Sequence, residues 1–421
     1  MSANRKSPRI FYGWWIVGAC FMVALYMGGV IFYGFTALFE PFVEEFGWSY
    51  AQISFAASLR GLEAGLLTPF IGILVDRWGP RRVIFLGVII TVLGLILLSQ
   101  TISLGMFYGA FVFIAIGTSC ASSTVTLTAA ANWFHRKVAI ATGTVGSGYA
   151  CSGLLVPLMV KLIDSYGWRE VIIFFSLGLL VVGPLSALVI RHKPEQYGYL
   201  PDGEVNGRVA PEISQSSIRD NEAKFSVRQS LQNRTFWLMS LGVLPQFISV
   251  VAVTTHVMPY FSSIGIGRAT SSLAAMAIPL FSMGGRLGFG WLGDKLNKKQ
   301  LIMIGLVMIA LGLACFEFIA SVGLRLLLPF FILFCIGYGG ILTVAAALIR
   351  DYFGRGRFGT IIGLIWGLGN FGSLAGPPTA GWVFDTWGSY QWVWLGFAVL
   401  NLMGVGIIAL LPPVSVSQTK E

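Results

Sequence analysis

Long apolar stretches alternate with short polar segments along almost the whole chain of 421 residues. Twelve apolar stretches are each long enough to cross a hydrocarbon core of about 30 Å as a helix. Their predicted bounds are 11–37, 51–75, 83–101, 104–133, 138–160, 169–190, 236–262, 269–293, 300–322, 325–349, 358–382 and 389–411. The one long polar segment, 191–235, separates two sets of six. We therefore predict an all-α membrane protein with an N-terminal half (1–190), a linker and a C-terminal half (236–421).

The two halves share residues at matching positions. Gly72, Leu74 and Asp76 recur as Gly290, Leu292 and Asp294 at one constant spacing, close to half the chain, and basic residues follow each copy. Other positions match at nearly the same spacing: Ile116-Gly117 with Ile336-Gly337, Gly143 with Gly363, Pro157 with Pro377, and Asp164 with Asp385. Such a repeat is typical of a transporter whose binding site lies between two parallel halves near the bilayer midplane.

Composition and charge agree with this prediction. Apolar residues make up 56% of the chain and charged residues 11%, against about 25% charged in soluble globular proteins. If the N-terminus is inside, 22 of the 28 Lys and Arg lie in cytoplasmic segments, 4 lie outside and 2 lie within spans. This asymmetry predicts that both termini are cytoplasmic. Because the positive charges lie in short loops, the net charge of +10 does not indicate a nucleic-acid partner. The acidic residues Glu40, Glu44 and Glu45 fall in a predicted external loop.

The stretch Gly-Ile-Leu-Val-Asp-Arg-Trp-Gly-Pro-Arg-Arg at 72–82 resembles the signature loop of the major facilitator superfamily. The stretch at 290–299 resembles its second-half copy, and the likeness covers the whole chain. It implies the major facilitator fold and a conformational latch on the cytoplasmic side. The residues to which the likeness assigns this latch are Gly72, Asp76, Arg77, Arg81, Gly290, Asp294 and Lys295. Asp76 falls at a helix C-terminus, where the helix dipole disfavours a carboxylate, so we expect it to seek cationic or donor partners.

Three short motifs resemble the monocarboxylate-porter and oxalate/formate-antiporter branches: Tyr12-Gly13-Trp14-Trp15, Phe46-Gly47-Trp48-Ser49 and Gly284-Gly285-Arg286. In those branches an Arg on helix 8 binds the substrate carboxylate, and the likeness gives this role to Arg286. The chain also departs from both branches. Dicarboxylate exchangers have a Lys on helix 11, but span 11 of this chain has none. Eukaryotic monocarboxylate porters have a Lys on helix 1 and an Asp one turn before the helix 8 Arg, but span 1 has no Lys and the second position is Ser282. The likeness therefore supports anion binding but not the family's proton pathway.

The residues themselves make Arg286 a candidate anion site. It lies eight residues before Asp294, about 12 Å along a helix, where an unpaired charge costs at least about 2.5–3.5 kcal/mol. A guanidinium group pairs with one carboxylate through two parallel hydrogen bonds; the alternative is a structural ion pair. The further substrate-binding candidates are Tyr26, Tyr33, Tyr149, Tyr338 and Asn370. Each of these can instead form a hydrogen bond between helices.

Three residues are candidates for proton coupling. Arg60 and Glu63 lie three residues apart on one face of span 2. They either neutralise each other or form a site where a moving cavity changes the protonation of Glu63; Arg60 is also a possible second anion contact. His256 lies toward the outer end of span 7 and titrates near neutral pH. It can relay a proton from outside or simply bond to backbone or water.

These features predict a secondary active transporter rather than an enzyme, because the sequence has no phosphate-binding loop, metal cluster or nucleophile triad. We expect no cofactor and no metal. The predicted substrate is a small monocarboxylate of the lactate, pyruvate or formate type, carried with a proton by rocker-switch alternating access. The alternatives are an oxalate/formate-type exchanger that uses Arg60 with Arg286, a drug exporter, and a ligand sensor. We expect a monomer in a lipid bilayer of the bacterial inner-membrane type.

Overall fold

A computed structural model describes residues 11–121, 123–134, 137–192, 194–197, 227–353 and 358–413. These ranges are almost wholly helical and contain no strand. The α-helices are α1 Tyr12–Met27, α2 Phe35–Phe46, α3 Tyr50–Trp78, α4 Pro80–Ser99, α5 Leu104–Cys120, α6 Ser123–Ala131, α7 Val138–Cys151, α8 Leu155–Tyr166, α9 Trp168–Val189, α10 Val227–Gln232, α11 Arg234–Ser263, α12 Arg268–Gly293, α13 Lys298–Glu317, α14 Ile319–Val322, α15 Leu327–Phe330, α16 Ile336–Phe353, α17 Phe358–Ser373, α18 Gly376–Trp387 and α19 Val393–Ala409. Short π-helical turns at Gly28–Tyr33 and Phe331–Cys335 and a 3₁₀ turn at Ser152–Leu154 connect neighbouring helices.

Nine helical runs in the described part of the chain are long and apolar enough to span a membrane. The three remaining predicted spans correspond to α3, to α17 with α18, and to α19. The span made of α17 and α18 is broken by a turn, which leaves pieces of 16 and 12 residues. Helix α19 has 17 residues, about one turn short of a full crossing of the hydrocarbon core. Helix α3 has 29 residues and carries charged residues along its length.

The predicted loop after the first span is largely helical, which corrects the sequence-based expectation. Helix α2 continues to Phe46, so Glu40, Glu44 and Glu45 lie on a helix rather than in an external loop. The helix tolerates Glu40 because this carboxylate pairs with Arg268, at 2.7 Å between Oε2 and Nη1. It ends at Gly47, whose φ of 63° is left-handed and favours glycine.

The described residues form two compact units. The first unit contains the chain up to Trp48, the stretch from Leu66 to Tyr197, and Ile266–Pro279. Its core is aromatic: the Phe42 ring lies 5.1 Å from the Phe107 ring and 4.9 Å from the Trp168 ring. Edge contacts of this kind add to the hydrophobic gain from burial.

The second unit contains Ser49–Gly65, the stretch from 227 to Gly265, and the chain from Leu280 onward. Its core contains the fully buried Phe316, whose ring lies 4.6 Å from the Phe330 ring and 5.1 Å from the Trp394 ring. Each unit therefore includes one segment from the opposite half of the sequence. In both cases that segment is the N-terminal part of a long helix, α3 or α12.

Candidate functional site

Arg286 lies in α12, is half-buried, and sits where α12 approaches α16 closely. A Cβ atom added at the preceding Gly285 would collide with the backbone carbonyl of Ile336, and one added at Gly339 would collide with the carbonyl of Ser282. The two helix backbones are therefore in direct contact next to this position. Such close packing restricts how α12 can rotate and so fixes the direction in which Arg286 leaves its helix.

Two of the uncharged candidates belong to the same unit as Arg286. Tyr338 in α16 is 6% exposed, and its carbonyl oxygen accepts a hydrogen bond from Gln246 Nε2 at 3.3 Å. Asn370 in α17 is half-buried, and its carbonyl oxygen accepts from Ser373 Oγ at 2.6 Å. Gln246, in α11, is itself 2% exposed. Gln246, Tyr338 and Asn370 thus belong to the same compact unit as Arg286.

The other three tyrosine candidates belong to the first unit. Tyr26 in α1 donates its hydroxyl hydrogen to the carbonyl of Phe175 in α9, at 2.6 Å. Tyr33 is buried in the π-helical turn, with its ring 4.9 Å from that of Phe32. Tyr149 in α7 is half-buried. For Tyr26 the geometry favours a hydrogen bond between helices, since its donor is already used.

His256 lies in α11 and is completely buried. Its Nδ1 lies 2.9 Å from the Tyr390 hydroxyl oxygen. Its Nε2 lies 2.9 Å from the carbonyl oxygen of Pro377 and 2.9 Å from Ser54 Oγ. Both ring nitrogens are therefore engaged by groups of α3, α18 and the segment before α19.

The surroundings of four predicted residues of α3 lie outside the described part of the structure: Arg60, Glu63, Gly72 and Asp76. Their roles remain predictions. Their backbone is helical, which places Asp76 in the last turn of α3, as the repeat predicted. Arg77 lies in the same last turn and is exposed, as is Arg81 at the start of α4.

The second copy of the loop begins where α12 ends at Gly293. Gly290 is half-buried one turn earlier, while Asp294 and Lys295 are exposed. The Lys295 ammonium lies 3.8 Å from the centre of the Trp291 ring, a cation–π contact. The two copies thus occupy equivalent positions at the C-terminal ends of α3 and α12.

Sequence reasoning did not identify several charged contacts at the opposite ends of these helices. Arg268 contacts Glu40 and Asp164, and Asp385 contacts the backbone of Tyr50. The repeat between Asp164 and Asp385 was visible in the sequence, but their partners were not, because the partners come from the other half of the chain.

A groove lies beside α18 and α19 in the second unit. It is apolar, has a volume of about 290 Å³, and is lined in part by Val383, Trp387 and Phe397. None of the predicted site residues lines it. The groove therefore adds nothing to the candidate anion site.

Comparisons with known proteins agree with the predicted fold, and the relatives found by sequence also agree with the predicted branch. A family model of the Major Facilitator Superfamily matches residues 14–322 and, again, residues 257–421. Monocarboxylate transporter 12-B of Danio rerio is 25% identical over 418 residues, covering 94% of this chain and 87% of the relative. Monocarboxylate transporter 12 of Homo sapiens is 26% identical over 413 residues, covering 92% and 78%, and human monocarboxylate transporter 2 is 21% identical over 393 residues, covering 91% and 82%. The crystal structure of a D-xylose-proton symporter superposes with a TM-score of 0.72 at 14% identity, covering 97% of this chain and all of that one.

Proposed function

The chain belongs to the major facilitator superfamily, and we propose that it is a secondary active transporter of a small monocarboxylate coupled to protons. The fold is the major facilitator fold, and the protein is an integral membrane transporter rather than an enzyme. The relatives named as monocarboxylate transporters support the substrate class. The identity is low, so the acid itself is proposed as a class: lactate, pyruvate or formate.

The observation that carries this proposal is the position of Arg286, a cationic side chain within the membrane-spanning helix α12, seven residues before the helix ends at Gly293. A charge inside the membrane is energetically costly unless it faces a water-filled cavity or pairs with another group. A guanidinium group binds one carboxylate in a planar, bidentate geometry. The packing of Gly285 and Gly339 at the α12–α16 contact gives Arg286 a rigid support, which a specific anion site requires.

The proposed cycle follows from charge neutralisation. A carboxylate entering from outside pairs with Arg286, and the pair is neutral, so the loaded site reorients at lower cost than the bare cation. We propose that Glu63, next to Arg60 in α3, takes the coupled proton. Glu63 and Arg60 are assigned on the sequence alone. The further substrate contacts are also assigned on the sequence alone: Tyr338, Asn370, Tyr33 and Tyr149.

We also propose the orientation and location of the chain. The excess of Lys and Arg in alternate loops supports cytoplasmic termini, with the repeated loops that carry Asp76 and Asp294 on the cytoplasmic side as a latch. The proposed location is the plasma membrane, which in a bacterial host is the inner membrane, and the proposed working form is a monomer.

Uptake of radiolabelled lactate into proteoliposomes tests the function. We expect an inward proton gradient to accelerate uptake. We expect Arg286→Gln to reduce it about tenfold or more, because a charge-assisted hydrogen-bonded pair is worth about 1.5–3 kcal/mol. Arg325→Gln is the matched control, since Arg325 is an exposed arginine of the same unit in the short 3₁₀ turn Leu324–Leu326, and it should transport like the parent.

Other results would contradict particular parts of the proposal. Uptake that ignores the proton gradient would remove the symport claim, and uptake that requires substrate inside the vesicle would favour exchange. Full activity of Arg286→Gln would remove the binding claim. Transport of lipophilic cations in place of carboxylates would favour drug export.

A further inference from the structure

Helices α3 and α12 begin at equivalent positions of the repeat. Their first residues, Tyr50 and Arg268, have the same spacing along the chain as the two copies of the cytoplasmic loop. Each helix start is held by an aspartate from another helix. The two oxygens of Asp385, in α18, accept the backbone N–H groups of Tyr50 and Ala51 at 2.8 and 2.9 Å. In the other unit, Asp164 Oδ1, in α8, accepts from Arg268 Nε at 3.0 Å.

The two aspartates are themselves equivalent positions of the repeat. Their contacts therefore join the same helices in each unit: the end of span 5 to the start of span 8, and the end of span 11 to the start of span 2. The chemistry differs, because Asp164 binds a guanidinium group and Asp385 binds backbone amides. An aspartate thus joins the same pair of helix ends in both units, although its hydrogen-bond donors differ.

A second pair of equivalent contacts lies further along the same helices. A Cβ atom added at Gly153, just before α8, would lie 2.5 Å from Pro279 Cγ in α12. A Cβ atom added at Gly61, in α3, would lie 2.5 Å from the Oγ of Ser373 at the end of α17. Gly153 matches Ser373, and Gly61 matches Pro279, at the spacing of the repeat. The close packing of these helices is thus repeated along with the aspartate contacts.

The hydrogen bonds made by both aspartates can break and form again. The first N–H groups of a helix have no partner within it, and the positive end of the helix dipole favours an anion, so a carboxylate is a suitable cap for α3. Asp164 and Asp385 are both exposed, so water can replace their protein partners when the helices separate. Contacts between exposed charges are weak enough to break repeatedly.

Further polar contacts support each aspartate. In the first unit, Arg268 also donates to Glu40 Oε2 at 2.7 Å and to the carbonyl of Ala37 at 3.3 Å. In the second unit, His256 lies within 2.9 Å of Ser54 Oγ on α3 and of the Pro377 carbonyl on α18. Each unit therefore anchors the start of its long helix through a cationic or imidazole side chain as well as through an aspartate.

We propose that Asp164 and Asp385 form a symmetry-related pair of latches that hold the N-terminal ends of α12 and α3 closed and release them in each transport cycle. The same two helices carry the repeated loops with Asp76 and Asp294 at their C-terminal ends. The inference rests on the proposed transport function, because only a protein that alternates needs contacts that open.

A buried reporter on α3 tests the latch without using any substrate. Ser58 is completely buried, two turns into α3, and Ser58→Cys is a small change. Reaction of the introduced thiol with a membrane-impermeant maleimide, added outside, is followed by mass spectrometry of the peptide that contains position 58. The measurement is made in the parent and in Asp385→Ala and Asp164→Ala backgrounds. We expect both substitutions to raise the labelling rate at position 58 several-fold.

A matched control shows that the effect belongs to the latch. Asp351→Asn breaks the 2.6 Å ion pair between Asp351 and Lys298, near the other ends of the helices of the second unit. It removes a comparable contact of a partly exposed aspartate, so it should leave the labelling rate at position 58 unchanged.

The native Cys335 separates release of the latch from general unfolding. It is fully buried, so it should stay unlabelled in every variant. The proposal is overturned if either aspartate variant labels position 58 at the parent rate, or if Cys335 reacts in parallel with position 58. If the aspartate variants show increased labelling but the parent takes up no monocarboxylate, the latch proposal stands and the proposed function fails. If the parent takes up monocarboxylate but the aspartate variants label at the parent rate, the proposed function stands and the latch proposal fails.

Discussion

Tyr390 and His256 are joined by a hydrogen bond of 2.9 Å between the phenolic oxygen and Nδ1. On the other side of the ring, Nε2 lies 2.9 Å from the carbonyl of Pro377, a group that can only accept. We therefore assign the hydrogen to Nε2, which leaves Nδ1 to accept from Tyr390. A neutral imidazole thus uses both of its nitrogens in a fully buried position. This geometry favours a packing role for His256 over a proton relay.

We predict that Tyr390→Phe destabilises the protein by about 1–3 kcal/mol, because it removes a hydrogen bond from a buried polar group. The thermal unfolding temperature in detergent should fall. Tyr352→Phe is the control: it also loses one hydrogen bond, to the carbonyl of Pro412 at 2.6 Å. That bond is exposed, so water can replace it. Equal stability of Tyr390→Phe and the parent would show that the bond to His256 contributes nothing.

The response of transport to a proton gradient should separate His256 from Glu63. We predict that Glu63→Gln abolishes stimulation by the gradient while leaving exchange of labelled for unlabelled lactate intact, since the amide cannot take up or release a proton. His256→Gln should keep the stimulation and lose stability instead. Lactate uptake measured at a series of imposed gradients checks both variants. Loss of gradient stimulation in His256→Gln with normal stability would return the coupling role to the histidine.

Two adjacent glycines provide a test of the support around Arg286. We predict that Gly285→Ala costs about 1–3 kcal/mol, because its Cβ would meet the carbonyl of Ile336 and push α12 away from α16. Lactate uptake should fall with it. Gly284→Ala is the matched control: a Cβ there meets nothing within 4 Å. In a helix that change is neutral or stabilising by up to about 1 kcal/mol. Equal behaviour of the two variants in unfolding and uptake would mean that this contact does not support the site.

Tyr26 offers a choice between a role in substrate binding and a role in packing. Its hydroxyl donates to the carbonyl of Phe175 at 2.6 Å, so we predict that Tyr26→Phe lowers stability by about 1 kcal/mol and leaves the KM for lactate unchanged. Kinetics of uptake together with thermal unfolding measure both quantities. A raised KM without loss of stability would instead place the Tyr26 hydroxyl on the substrate.

Much of the fold could be predicted from the sequence because hydropathy and charge are local properties. The spans and the repeat follow from them, and the family model confirms the resemblance. The end of the first span was misjudged because Glu40 and its acidic neighbours look like loop residues when Arg268 is not considered. The partners of His256 could not be predicted, because they lie 121 to 202 residues from it along the chain. The repeat of Asp164 and Asp385 was a usable signal, although it gave no hint of what each one binds.

The central claim is that Arg286 binds the carboxylate of the substrate, and ligand-dependent thermal stabilisation tests it most directly. A ligand that binds the folded protein raises its unfolding temperature as its concentration exceeds the Kd. We predict that lactate, pyruvate or formate stabilises the parent and the Arg325→Gln control, that lipophilic cations do not, and that Arg286→Gln loses the effect. Equal stabilisation of Arg286→Gln and the parent by the same monocarboxylate would contradict the account.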